Sequence, residues 1–342
     1  MNFAFTEDQL LFRDTVRDFL AAECGPAELR AAAAGTGRSA ARWQKLADMG
    51  LTGLTVAEAR GGLGLGLLDY VLIAEETGRV ALPEPLIDQI GIAAPVLADF
   101  AARADVAAVL SGLAAGTCKV AAGHPDDPFV ADAGEADFLL LGRDGVLHLV
   151  PRDRVVLTPE TSVDPLRRIA AVDWAAGNET RLSGETGILD RFRDLGALAA
   201  AAQGLGLAQA MVDLAADYAR TRQQFGKPIG TFQAVKHHLA TVQVAIEFAR
   251  APVYKAAATQ HPRDISHARI AVVDAAAAAA RTAIQVFGAM GYTYEVDLHF
   301  FMKRAWALAG VWGDRHYHLD RLSRMVLSDD AAIGADGTFQ DR

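Results

Sequence analysis

Four long helix-forming stretches fill the last third of the chain, and nothing else in the sequence narrows the fold as much. They begin with ILDRFRDLGALAAAAQGLGLAQAMVDLAADYARTRQQF and continue through AVKHHLATVQVAIEFARAPVYKAAATQ, ISHARIAVVDAAAAAARTAIQVFGAMG and LHFFMKRAWALAGVWGDRHYHLDRLSRMVL. Short connections between them predict an antiparallel bundle. The alanine run after Asp274 reads as tight helix packing, because alanine is the best helix former and charged residues bracket the run.

The first third is also helical. Thr6 precedes an acidic first turn, and Leu10, Leu11, Val16, Phe19 and Leu20 recur at helical spacing behind it. A second helix is expected in AARWQKLADMG, ended by Gly50, and a third over about Leu67 to Thr77. After Pro83 and Pro85 a further helical stretch runs to about Leu113. Gly61, Gly62, Gly64 and Gly66 fit no GxGxxG spacing and follow no strand, so they read as a tight turn and close packing rather than a phosphate loop. From Cys118 short apolar runs are bounded by turn residues, and Arg143-Asp144-Gly145 between FLLL and VLHLV marks a hairpin. The expected organisation is a helical domain over 1–117, a small β domain over 118–185, a four-helix bundle over 186–328 and a tail over 329–342.

At 342 residues with a formal charge of −9, the chain lacks the concentrated basic face that nucleic acid requires. No uninterrupted apolar run approaches the ~20 residues of a membrane helix, and the acidic N-terminus is not a signal peptide. Two distant cysteines, Cys24 and Cys118, suggest neither a disulfide framework nor a zinc site. A cytoplasmic protein without membrane insertion is the expectation.

Arg220, Arg222 and Lys227 flank a helix end at Phe225-Gly226-Lys227-Pro228. A guanidinium fork there can clamp a pyrophosphate while the ring packs on a flat heterocycle, and it can equally complement the helix dipole. Gly288 and Gly291 in QVFGAMGYTYE sit at a helix-ending turn, able to meet a ligand with backbone amides or to serve as a plain C-cap. His316 and His318 are two apart and point to different sides of a helix, so no metal site is expected. There is no GxSxG for a serine hydrolase.

In combination, YARTRQQFGKPIGTFQAVKHHLA, QVFGAMGYTYEVDLHFFMKRA, FTEDQLLFRDTVRDFLA and GGLGLGLLDYVLIAEETGR resemble, in order, the acyl-CoA dehydrogenase family, over about three-quarters of the chain. The resemblance implies a mostly α fold with a small central β domain: N-terminal helices, a reduced β domain and a C-terminal four-helix bundle. It implies FAD as cofactor, an acyl-CoA substrate undergoing α,β-dehydrogenation, and an electron-transfer flavoprotein or similar acceptor. It further implies that Arg222 and Phe225, with Gln224 beside them, hold the diphosphate and adenosine portion of an FAD across a subunit interface. Gln285, Gly288 and Gly291 would touch its adenosine end.

The sequence departs from the family at two places. Trp312-Gly313 stands where the resemblance expects Glu-Gly, the catalytic base, leaving Asp314 as the nearest acid and candidate base; Gly196 takes the alternative glutamate position, with Asp194 closest. Glu247 reads as a structural ion pair, and Glu295 is an uncertain further acid. The β domain lacks the Trp-Phe-Ile-(Thr/Ser) run of full-length relatives. Together these features resemble short subunits of two-component enzymes, expected as a dimer or heterotetramer with a second acyl-CoA dehydrogenase subunit and acting on a bulky, steroid-derived thioester. The alternatives are a dehydrogenase of carrier-protein-bound acyl groups, a flavin oxidase or monooxygenase of the same fold, and a non-catalytic structural partner.

Overall fold

The computed structural model describes residues 4–35 and 38–328, so the expected tail over 329–342 lies outside the described residues. Helix α1 (Glu7–Glu23) opens on a reciprocal cap: Thr6 Oγ1 accepts the Gln9 N–H at 3.2 Å, and the Gln9 side chain accepts the Thr6 N–H at 2.9 Å. The cap satisfies N–H groups that a helix start leaves orphaned. Helix α2 (Pro26–Ala33), with proline in its first turn, is an element the sequence reading did not anticipate. Helix α3 (Ala40–Asp48) is capped by Ser39 and stops before Gly50, whose φ of 76° is left-handed. Helices α4 (Leu67–Arg79), α5 (Leu86–Asp88), α6 (Ala94–Ala98) and α7 (Ala104–Ala114) complete this part, with a π-helical turn over Gln89–Ala93. A side chain at Gly62 would collide with the Val56 carbonyl, so that glycine serves close packing.

The middle of the chain forms two small sheets. Strands β1 (Val120–Gly123), β3 (Phe138–Arg143), β4 (Val146–Pro151) and β7 (Arg181–Ser183) pair in the order β1-β3-β4-β7, parallel between β1 and β3 and antiparallel elsewhere. Strands β2 (Val130–Ala131), β6 (Ile169–Trp174) and β5 (Val155–Glu160) form an antiparallel trio. The hairpin expected at Asp144-Gly145 joins β3 to β4, with Arg143 opposite Val146 and both turn residues at positive φ, 50° and 77°. Leu139, Leu141, Val150 and Trp174 are among the side chains that pack between the sheets.

The bundle comprises α8 (Ile188–Thr221), α9 (Gln233–Thr259), α10 (Pro262–Phe287), α11 (Leu298–Ala309) and α12 (Arg315–Val326). The fourth long helix of the sequence reading is therefore two helices, broken where Trp312 and Gly313 take φ of 58° and 87°. Helix α8 packs against α4, α9, α10 and α11. Where α4 and α8 cross, side chains at Gly78 and Gly206 would collide with the carbonyls of Gln203 and Glu75, so the two backbones touch. Two helices are long and apolar enough to cross a membrane. The apolar window of Ile188–Thr221 has mean hydropathy 1.4 and is 100% buried within the fold; that of Pro262–Tyr292 has mean hydropathy 1.5 and is only 44% buried. Val244 and Phe248 on the adjacent α9 are also exposed.

Candidate functional site

Helices α8 and α10 end side by side. Tyr218, near the end of α8, stacks on Phe287, the last residue of α10, with ring centroids 4.4 Å apart and 22° between planes. The stack brings the Arg222 segment and the Gln285–Gly291 turn to one end of the bundle. Beyond Arg222 the chain makes a two-residue hairpin, β8 (Gln223–Gln224) against β9 (Lys227–Pro228), turning at Phe225 and Gly226 with φ of 54° and 79°. The turn puts the Phe225 ring into solvent at 91% exposure, with one edge contact to Phe232 at 6.1 Å. Arg222 is exposed, and among the described residues its side chain makes no hydrogen bond or ion pair. Gln224, Gln285 and Gly288 are exposed as well, whereas Gly291 is buried against Ile284 and Phe287. Gly288 holds φ 61°, ψ −137°, open to glycine and closed to most side chains. The exposed Arg222 guanidinium, the exposed Phe225 ring and the exposed side-chain amides of Gln224 and Gln285 are the group types that an adenosine diphosphate calls for.

The break between α11 and α12 carries the second feature. Trp312 is buried, its N–H donating to Asp127 Oδ2 at 3.0 Å and its carbonyl accepting from His318 Nε2 at 3.1 Å. His318 Nδ1 in turn meets Ser266 Oγ at 3.1 Å. Burial draws the His318 ring down to about 4, which keeps it neutral, one nitrogen donating and one accepting as this chain of bonds requires. The indole lies edge-to-face on Phe192, centroids 5.2 Å apart, and against Gly196, where any side chain would collide with the ring. The two positions at which the resemblance expects a base therefore meet, and they hold a glycine and a tryptophan.

Behind the indole, among the N-terminal helices, the β domain and the bundle, lies a polar cavity of about 30 Å³, roughly one water in size. Charged groups wall it. Arg38 pairs with Asp132 at 2.5 Å, and Glu84 with Arg42 at 2.7 Å. Arg304 pairs with Asp164 and also donates to the Leu82 carbonyl at 3.2 Å, tying α11 to the β5–β6 loop and the N-terminal helices. Burial pushes the Asp88 carboxyl up to about 6, with the Arg167 guanidinium opposing. An isoalloxazine ring does not fit this cavity, whereas Arg222, Phe225 and Gln285 at the bundle end are exposed.

Three of the four remaining candidate acids are committed to other tasks. Asp314 is exposed at the N-cap of α12, its Oδ1 accepting the Tyr317 N–H at 2.8 Å. Asp194 is bound by both terminal nitrogens of Arg321, and Glu247 is paired with Arg250 at 3.1 Å. Glu295 is exposed in the loop after α10. His316 is exposed and His318 buried. Among the described residues no three His, Cys, Asp or Glu side chains gather as a metal site. The ionic walls and the Trp312 clamp were missed by sequence reasoning, since their partners lie far apart along the chain.

Comparison with known proteins adds an independent finding. Residues 6–117 match the family model described as the N-terminal domain of acyl-CoA dehydrogenase, and residues 188–327 match its C-terminal domain. The chain is 34% identical over 302 residues to acyl-CoA dehydrogenase IpdE2 of Mycobacterium tuberculosis, covering 87% of this chain and 91% of that protein. It is 33% identical over 303 residues to acyl-CoA dehydrogenase FadE34 of the same organism, covering 82% of this chain and 41% of that protein. Among solved structures, the ChsE4–ChsE5 complex from Mycobacterium tuberculosis shares the fold with TM-score 0.84 at 23% identity, covering 97% of this chain and 100% of that one.

Proposed function

Since the chain belongs to the acyl-CoA dehydrogenase family, an FAD-dependent group of oxidoreductases, we propose that it works as one subunit of a heteromeric dehydrogenase and completes an FAD site centred on another subunit. The Arg222 guanidinium would face the diphosphate, Phe225 would lie on the adenosine, and the Gln285 amide with the backbone of the Gly288–Gly291 turn would close the adenosine end. Gln224 lines the same hairpin. FAD held there would supply an acceptor for the β-hydrogen and its electron pair, with an electron-transfer flavoprotein or similar acceptor taking the electrons onward. The acyl-CoA gives up its α-proton to a carboxylate, and that group must be close and desolvated because an α-C–H is a poor acid. Asp314, this chain's own candidate, is exposed and caps α12, which favours a carboxylate of the partner for that role.

The observation that carries the reading is the uncommitted state of Arg222 and Phe225. A solvated ring in a left-handed turn does nothing for its own chain, and it gains a role once a dinucleotide and a second subunit cover it. The half-exposed apolar face of α10, with Val244 and Phe248 beside it, supports a partner that packs along the bundle. A same-fold structure described as a steroid ACAD is the pointer to a bulky, steroid-derived acyl thioester. We place the protein in the cytoplasm, where the unpaired Cys24 and Cys118 stay reduced.

Co-expression with candidate second subunits tests the proposal. The expected product is a yellow complex bleached by an acyl-CoA, and Arg222→Ala strips the flavin without unfolding the chain. If the chain purified alone binds FAD stoichiometrically and reduces it with an acyl-CoA, the partner requirement is wrong. Should activity survive replacement of every acid on this chain yet collapse with Arg222→Ala, the chain is the non-catalytic partner, a reading that the Trp312–Gly196 contact favours.

A further inference from the structure

A base that takes the α-proton must come within hydrogen-bond reach of the α-carbon. The resemblance puts that base at residue 196 or 312, and on that placement the reacting carbons of an acyl thioester bound in this chain's own site would lie beside these two residues. That volume is filled by the Trp312 indole, seated on Gly196 and Phe192. The backbone that delivers the indole is costly: φ is 58° at a bulky residue, in a region that such side chains avoid. It is held from both sides, by the Asp127 carboxylate on the N–H and His318 on the carbonyl, with Ser266 fixing the histidine. A conformation that is sparsely populated, yet fixed by three separate groups, is the pattern of a position selected for where it puts its side chain.

We propose that Trp312 is a steric plug: its indole closes this chain's own acyl-thioester site, so that the chain serves only the site it shares with a partner. The inference deepens the shared-site reading and rests on it for the plug's purpose, while the closure itself is a property of this chain alone. Gly196 is the other half of the device, because any side chain there would expel the ring.

Calorimetric titration of the full chain with butanoyl-CoA, an acyl group short enough to need only the space of the indole, tests the plug. The wild-type chain is expected to take up no more butanoyl-CoA than free CoA. Trp312→Gly, which removes the ring and suits the positive φ, is expected to bind butanoyl-CoA at least about tenfold more tightly than wild type. Trp312→Leu keeps an apolar filling, guards against loss of folding in the glycine variant and is expected to lie between. Folded variants that bind no better than wild type would overturn the proposal. So would a crystal of the wild-type chain grown with butanoyl-CoA in which an acyl chain lies on Gly196 and the indole has moved aside. The flavin absorbance of the co-purified complex is read separately, so a colourless complex counts against the shared-site reading and leaves the plug's own result intact.

Discussion

Replacing Phe225 by asparagine should move folding stability and flavin affinity in opposite directions. In the single chain the ring is 91% exposed, so its removal forfeits little beyond an edge contact with Phe232. The backbone meanwhile gains, because a non-glycine residue in the left-handed region costs about 1–2 kcal/mol, and Asn-Gly is the preferred pair for a two-residue hairpin turn. Stability of the isolated chain should rise by about 0.5–1 kcal/mol, read as a later urea midpoint at unchanged slope. Covering a phenylalanine ring is worth about 1.5–3 kcal/mol, so flavin affinity of the complex should fall by roughly 10- to 150-fold. Fluorescence titration of the apo complex with FAD measures that loss. An earlier urea midpoint, or an unchanged FAD affinity, would refute the argument that the ring is held at a cost for a ligand outside its own chain.

The other predictions concern the interior. Asp164→Asn keeps the Leu166 N–H bond but strands the Arg304 charge in a pair whose side chains are 0% and 6% exposed. The loss should be about 3–5 kcal/mol, or ~4–7 °C in Tm by calorimetry, with a much smaller loss on adding Arg304→Met; a shift under about 1 °C sinks the idea. Asp314→Asn retains a cap, so the Tm and turnover of the complex should both be unchanged, and abolished turnover at unchanged Tm would instead make Asp314 the proton acceptor; Asp314→Ala should cost ~1 kcal/mol either way. Burial holds His124 and His318 at about 4, below the ~6.5 of an unfolded chain, so the unfolded state binds more protons and stability falls as pH drops through 6.5 towards 4. Asp88, raised to about 6, opposes this below pH 6. The net loss between pH 7 and pH 5 should be about 2–3 kcal/mol in urea unfolding, and a flat profile would refute it.

What the sequence disclosed was local chemistry. The Thr6 cap, the stop at Gly50 and the Asp144-Gly145 hairpin each depend on residues within a few positions of one another, and each was read correctly. Helix α2 was passed over because ECGPAELRAAAAG carries its proline start among residues that also suit a linker, and the fourth bundle helix was drawn unbroken because apolar spacing continues across Trp312. The site was legible by a different route. Arg222, Phe225 and Gln285 were singled out by their resemblance to a family, since locally they read as an ordinary helix end, and only the folded chain displays them as unpartnered. The contact between Trp312 and Gly196, and the ion pairs Arg38–Asp132 and Arg304–Asp164, join segments far apart along the chain that no periodicity connects.

At Gly78 and Gly206 two helices rest spine against spine. At that crossing no side chain separates the backbones, so a larger residue at either glycine would force α4 and α8 apart. The β5–β6 loop is tied to the bundle by a different means, the buried Arg304–Asp164 pair. A redesign of the surface or of the sheets should therefore leave both the glycine joint and that ion pair untouched.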